Sequence, residues 1–177
     1  MKQFASGHAM QSAWVVDDLD AAVDAWLKVG IGPFFYVEYT PDLFEESTYR
    51  GNPSPISMKI ALAQAGDMQI ELIEPTGEQA NIYRDTVPEG KTAFHHLCYW
   101  TDDIDGEILS LVEQGYEVAA TGVVAGSGAT FAYIDTSPVL GHMTELLTYS
   151  DDVKGLFDMV AAASVDWDGS DPKRPLA

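Results

Sequence analysis

The chain has 177 residues, 46% of them hydrophobic and 11% aromatic, enough for one ordinary domain or two small fused modules around a real core. With 9 basic and 28 acidic side chains its formal charge is −19, and such a field repels phosphate backbones, which excludes a nucleic-acid partner. No apolar run approaches the roughly 18 residues of a membrane span, MKQFASGHAM lacks the apolar core of a secretory signal, and the single Cys98 excludes an internal disulfide or a multi-cysteine metal site, so a cytoplasmic protein is expected.

In chain order, Gln11 to Val16 reads as a strand. Asp17 or Asp18 caps the next helix, where a carboxylate accepts from free backbone N–H groups and opposes the helix dipole. Leu19, Ala22, Val23, Trp26 and Leu27 recur at helical spacing, so the helix runs from Leu19 to Val29 and stops at Gly30, Gly32 and Pro33. The aromatic run Pro33 to Tyr39 predicts a second strand. Thr40 to Pro55 is polar, carries three prolines and reads as a long loop or arm. Ile56 to Gln64 and Met68 to Glu74 are two more strands around an Ala65-Gly66-Asp67 turn, and Thr76 to Gly90 is a connector with a short helix around Gln79 to Asp85.

Then the pattern restarts. Phe94 to Thr101 is a strand, Asp102 or Asp103 caps a helix through Gln114, and Ile104, Ile108, Leu109, Leu111 and Val112 form its apolar side. Tyr116 to Val124, Ala129 to Asp135 and His142 to Thr148 follow as strands, separated by turns at Gly126 to Gly128 and Pro138 to Gly141. Asp151 to Ala163 is amphipathic through Val153, Leu156, Phe157 and Val160, and the polar remainder to Ala177 is expected to lie loosely on the surface. The expected architecture is therefore α+β, two tandem βαβββ modules (7–75 and 93–149) in a domain spanning 1–150, with a C-terminal helix and tail over 151–177. Laying Asp17-Asp18-Leu19-Asp20 over Asp102-Asp103-Ile104-Asp105 places Gln11 on His96, and the strands QIELI and MTELL place Glu71 on Glu145.

The motifs QSAWVVDDLDAA, GDMQIELIEP, FHHLCYWTDDID and GHMTELL, in that order, resemble the vicinal oxygen chelate superfamily, which includes glyoxalase I, methylmalonyl-CoA epimerase, extradiol dioxygenases and bleomycin-resistance proteins. The resemblance covers residues 7 to 149 and implies that the modules curl a mixed sheet into a cup holding one divalent metal. Carried over position by position, it implies Gln11, Glu71, His96 and Glu145 as ligands. Nitrogen and oxygen donors suit zinc, nickel, cobalt, manganese or ferrous iron. The ligand set is similar to one glyoxalase I pattern and departs from the usual epimerase set of two histidines, a glutamine and a glutamate.

The resemblance further implies an isomerase, epimerase or lyase that acts on a small oxygenated carbonyl compound through metal-stabilised enolate chemistry, with Glu145 as first choice of base and Glu71 second. A metal-free ligand-binding or resistance protein and an extradiol-type dioxygenase are the alternatives. A homodimer is implied by the resemblance as well. Arg50 and Tyr49 on the arm are candidate substrate contacts, a guanidinium being suited to a carboxylate or phosphate.

Strand parity refines the set, because side chains at i and i+2 share a face. If His96 faces the cup, so do Cys98 and Trp100, which makes Trp100 a candidate lining residue, while His95, Leu97 and Tyr99 face away. Gln11 is preferred over His8 as the first ligand, since an unbroken strand puts His8 on the other face, although a bulge reverses that choice. Cys98, with no base tied to it, reads as a small core-lining residue and not a nucleophile.

Overall fold

A computed structural model of the chain describes residues 4, 5 and 7–176. The first module comprises β1 (Ala9–Val15), α1 (Leu19–Lys28), β2 (Phe34–Tyr39), an arm of β3 (Phe44–Tyr49) and β4 (Asn52–Pro53), then β5 (Met58–Ala65) and β6 (Met68–Pro75). A connector carrying α2 (Ile82–Thr86) leads to β7 (Ala93–Thr101), α3 (Ile104–Glu113), β8 (Glu117–Val124), β9 (Thr130–Asp135), α4 (Ser137–Leu140) and β10 (Met143–Thr148). The chain finishes with α5 (Asp151–Ser164) and β11 (Lys173–Pro175). Among the described residues no helix is long and apolar enough to cross a membrane.

All strands belong to one mixed sheet in the order β11-β2-β5-β6-β1-β7-β10-β9-β8-β3-β4. The repeat is visible in it: β1 pairs parallel with β6 as β7 does with β10, and the modules join where β1 meets β7 antiparallel. The helix starts repeat too. Asp18 accepts from Ala21 N, and Asp103, its counterpart in the overlay, accepts from Gly106 N, each carboxylate occupying a free amide at the helix's positive end. Gly106 is required there, because a Cβ would lie 2.3 Å from the Asp103 carboxylate.

Alternation of side chains splits the core into layers. One face of the sheet packs against α1 through Val16, Val23, Phe34, Ala61 and Leu72, and against α3 through Ala132, Ile134 and Leu146. The opposite face is the concave one, built from Ala13, Val15, Ile60, Leu62, Cys98, Phe131 and Met143 of both modules. Helix α5 lies over this concave face, its Val153, Leu156, Phe157 and Val160 packed into it at the spacing the sequence predicts.

Four expectations need correction. The arm is not a loop: β3 crosses from the first module and pairs antiparallel with β8, at the far edge of the second. Its prolines misled the reading because Pro53 sits on the terminal edge strand β4, where no ladder donor is needed. The tail is not loose: β11 pairs parallel with β2, and the Trp167 ring covers Gly32, where a Cβ would come within 2.8 Å of the indole. Leu109 and Val112 are exposed on α3, so its apolar stripe is narrower than expected, carried by the half-buried Ile104, Ile108 and Leu111. The Pro138 to Gly141 turn winds into α4, closed by Gly141 at φ +78°.

Candidate functional site

The centre of the concave face is a cluster of one imidazole and two carboxylates. Glu71 on β6, His96 on β7 and Glu145 on β10 offer ligand atoms that all lie within 4.8 Å of one another. Four consecutive strands, β6-β1-β7-β10, bring them together: His96 and Glu71 both register on Ala13 of β1, and Glu145 registers on Cys98, two residues past His96. His96 is fully buried and both carboxylates are 8% exposed. His96 Nε2 stands 2.9 Å from Glu145 Oε2 and 3.5 Å from Glu71 Oε2. Yet that nitrogen has no hydrogen-bond partner, because the three groups point toward a common space and not along a donor–acceptor line.

His95 was expected to face away; it does not. The β1–β7 register advances one residue from Ala13 to Trp14 while β7 goes from His96 to Phe94, so His95 is the extra residue of a bulge. The bulge puts both imidazoles on the cup side, with rings in edge contact, and turns Phe94 outward onto Trp14. The register slips in the same way between Ala9 and Gln11, where Met10 is the extra residue, the position that overlays His95. Despite that slip His8 stays exposed ahead of β1 and outside the cluster.

A chain of hydrogen bonds assigns the protons on the two rings. The carbonyl of Ile82 can only accept, so His95 Nε2, 3.1 Å away, carries a hydrogen. Burial first, and then the neighbouring His96, hold the His95 pKa down to about 3, so the ring is neutral and its Nδ1 is a bare acceptor. His96 Nδ1 lies 2.9 Å from it and must donate. In a neutral His96 this leaves the Nε2 lone pair facing Glu71 and Glu145. Three electron-pair donors facing one another in a buried site need a proton or a cation among them. The donor set and the orphaned nitrogen fit a divalent cation, for which the His95 contact would fix the tautomer of His96.

Gln11 is buried and lines the same cavity as Glu71 and Glu145. Its Nε2 donates to Gln69 Oε1 at 2.7 Å, which commits the amide nitrogen and leaves the amide oxygen as the end available to a ligand. Gln69 escaped the sequence reading, although it lies two residues before Glu71 and parity places it on the same face. Burial, and then the Glu145 charge, push the Glu71 carboxyl well above the usual carboxylate range. Burial likewise pushes the Cys98 thiol up, with Glu145 adding to it, which keeps the thiol protonated and inert.

The remaining candidates sit elsewhere. Arg50, at the tip of the β3–β4 arm, bonds Asp85 and Asp135 at 2.8 Å each and Glu117 at 3.1 Å, and Tyr49 donates to Asp85 at 2.6 Å. Neither lines the cavity above the carboxylates. Trp100 packs on Phe157 and Tyr149 beside α5 and is also outside that cavity. The cavity measures about 260 Å³ and is walled by apolar and aromatic side chains from β2, β3, β5, β8, β9, β10 and α5.

Comparison with known proteins agrees with this architecture. The family model described as Glyoxalase/Bleomycin resistance protein/Dioxygenase superfamily matches residues 10–133. A hypothetical protein from Bacillus halodurans C-125 is similar in structure at TM-score 0.58 and 17% identity, over 80% of this chain and 94% of that one. Methylmalonyl-CoA epimerase from Mycobacterium tuberculosis is similar at TM-score 0.58 and 17% identity, over 88% and 95% of the two chains. A Streptomyces coelicolor methylmalonyl-CoA epimerase variant in complex with 2-nitronate-propionyl-CoA gives 0.50 and 17%, over 80% and 93%. At such identities the likeness is one of fold. No curated protein sequence gives a match.

Proposed function

The chain belongs to the glyoxalase/bleomycin resistance protein/dioxygenase superfamily, and we propose that it is a metal-dependent isomerase, epimerase or lyase acting on a small oxygenated carbonyl compound. The observation that carries this reading is the buried Nε2 of His96, without a hydrogen-bond partner and flanked by Glu71 and Glu145. His96, Glu71 and Glu145 would hold the cation, with the Gln11 amide oxygen as a fourth donor. Zinc, nickel, cobalt, manganese and ferrous iron all suit these donors. Bound there, the ion supplies Lewis acidity to the oxygens of a carbonyl substrate.

The protein's own part is proton movement. Glu145 takes a proton from the carbon beside the carbonyl and returns the same proton to the resulting enolate, and Glu71 is the second candidate for that role. Two carboxylates on pseudo-twofold-related strands give the carbon two sides of approach, which suits isomerisation or epimerisation. The apolar wall excludes water from the exchange. The reading includes a cytoplasmic homodimer, for which Leu109 and Val112 on α3 offer exposed apolar surface; sedimentation measures it.

The test joins metal analysis to proton exchange. Protein purified without added metal is assayed for bound ions, and deuterium incorporation next to the carbonyl of small hydroxyketones is followed by NMR. Glu145→Gln keeps an oxygen donor but loses the base, so exchange falls by about 10²–10⁴-fold. Undiminished metal-dependent exchange in Glu145→Gln removes Glu145 as base, and a protein that takes up none of these ions removes the reading altogether.

A further inference from the structure

From the charges around the cup we infer its substrate class: an electrically neutral molecule with an apolar, compact body, and not a phosphorylated or carboxylated conjugate such as a coenzyme A thioester or a glutathione adduct. The inference rests on the proposed metal site for how the oxygens bind, and on the cavity walls for the rest of the molecule.

Among the described residues no lysine or arginine lines the cavity. Its ionisable acids are Glu71 and Glu145 at the floor and Asp152, exposed at the start of α5, at the rim. The walls are hydrocarbon and aromatic, with Phe44, Leu62, Phe131, Leu147, Leu156 and Phe157 prominent. Tyr39 adds a phenol that burial, and then Glu71 and Glu145, push up to about 12, so it is a neutral donor and not a charge partner. The two floor carboxylates balance a divalent ion, whose Lewis acidity serves the reacting oxygens, and the walls above the floor carry no cation to compensate a further anionic group.

Most of the described basic side chains are engaged elsewhere. Six basic side chains already pair with acids: Arg50, Lys59, Arg84, Lys154, Lys173 and Arg174. Lys154, two residues from Asp152, is bound to Asp158 on α5. A phosphate or carboxylate entering the cup would exchange water for hydrocarbon and aromatic walls and an acidic rim, and burying an unpaired charge in this way is costly. A neutral body instead gains from the apolar surface that the walls and α5 remove from water. The cavity of about 260 Å³ holds a compact two-ring or short-chain molecule.

The test uses benzoin, a neutral aromatic hydroxyketone, against 4-carboxybenzoin and acetoacetyl-coenzyme A. Binding to the full-length protein is measured by calorimetry, and zinc and manganese binding in separate titrations. Benzoin is expected to bind roughly tenfold or more tighter than its carboxylate, with little dependence on salt. Asp152→Lys, at an exposed helix position, narrows that gap by raising affinity for the carboxylate. Tighter binding of either anionic probe, or no binding of benzoin to a protein that does take up metal, overturns the substrate class and leaves the metal site standing. Selective benzoin binding by a protein that takes up no metal supports the substrate class and counts only against the metal reading.

Discussion

The two modules reach the same site by exchanging the jobs of two positions. In the second module the ligand candidate His96 is supported by the residue before it, His95; the overlaid pair in the first module is Gln11 and Met10. In the first module Gln11 is supported by Gln69 on the neighbouring strand; the overlaid position in the second module is Met143, fully buried. Each half thus has one polar supporter and one methionine, in opposite places. The reason lies in the ligands. An imidazole has two nitrogens, and a partner on Nδ1 is needed to free Nε2 as the donor; a carboxamide needs its N–H₂ occupied so that its oxygen turns to the site. The bulge that brings His95 to the cup side exists in both halves, but it places a hydrogen-bonding group only where the ligand candidate is a ring.

The largest expected effect breaks the ligand itself. His96→Ala should reduce zinc or manganese affinity beyond the roughly 10–100-fold typical of losing a supporting residue. Next come the exchanged supporters. His95→Met copies Met10, and Gln69→Met copies Met143; each should cost about 10–100-fold in metal affinity. His95→Met should cost more, because it also removes what decides which nitrogen of His96 is bare, whereas Gln11 can still rotate its amide. Calorimetric metal titration of each variant, with melting of the metal-free forms alongside, separates lost affinity from lost packing. Equal affinity in wild type and His95→Met would mean that the supporters fill space and do not orient ligands.

Much of this was legible in the sequence, for identifiable reasons. Helix caps at Asp18 and Asp103 follow from side-chain chemistry within four residues, and the repeated βαβββ pattern from alternation. Glu71, His96 and Glu145, which the overlay and the family resemblance picked out, do converge in space. What parity missed at His95 is a one-residue insertion in a ladder, and a bulge of this kind has no compositional mark. The crossing of β3 to β8 is a pairing between residues some 75 apart that FEESTY alone does not announce. The scarcity of basic residues points to Arg50 as a cation for substrate, but three acids that only the fold brings near engage it instead.

The two outer edges of the sheet sharpen the same contrast between halves. The second module's edge is covered by β3 and pinned by Arg50, whose pair acids Asp85 and Asp135 are largely shielded from water. Burial raises the Asp135 carboxyl, but the Ser137 hydroxyl and the Arg50 guanidinium outweigh it and hold it below the usual range. A depressed folded pKa means stability that is present above the unfolded value near 3.9 and lost as pH falls through the folded one. Arg50→Met should therefore cost roughly 1–2 kcal/mol near pH 7. The difference from wild type should shrink below about pH 4, and thermal melts from pH 3 to 7 measure both.

The first module's edge is covered by β11, whose ion pairs are of another kind. Lys173 reaches Asp20 at 3.2 Å and Asp24 at 2.8 Å, with all three side chains substantially exposed. Water and salt screen such pairs, and holding two flexible side chains together offsets most of what remains. What attaches β11 is its backbone, through Phe34 N to Pro172 O and Leu176 N to Tyr36 O, both at 2.8 Å, and the Arg174 guanidinium lying 5.6 Å from the Phe35 ring centre. Lys173→Ala should therefore fall within the roughly 0.5 kcal/mol of an ordinary surface change, and raising the salt should leave it there. A loss as large as that of Arg50→Met, removed by salt, would show that charge and not backbone pairing holds this edge, and that the two halves close in the same way after all.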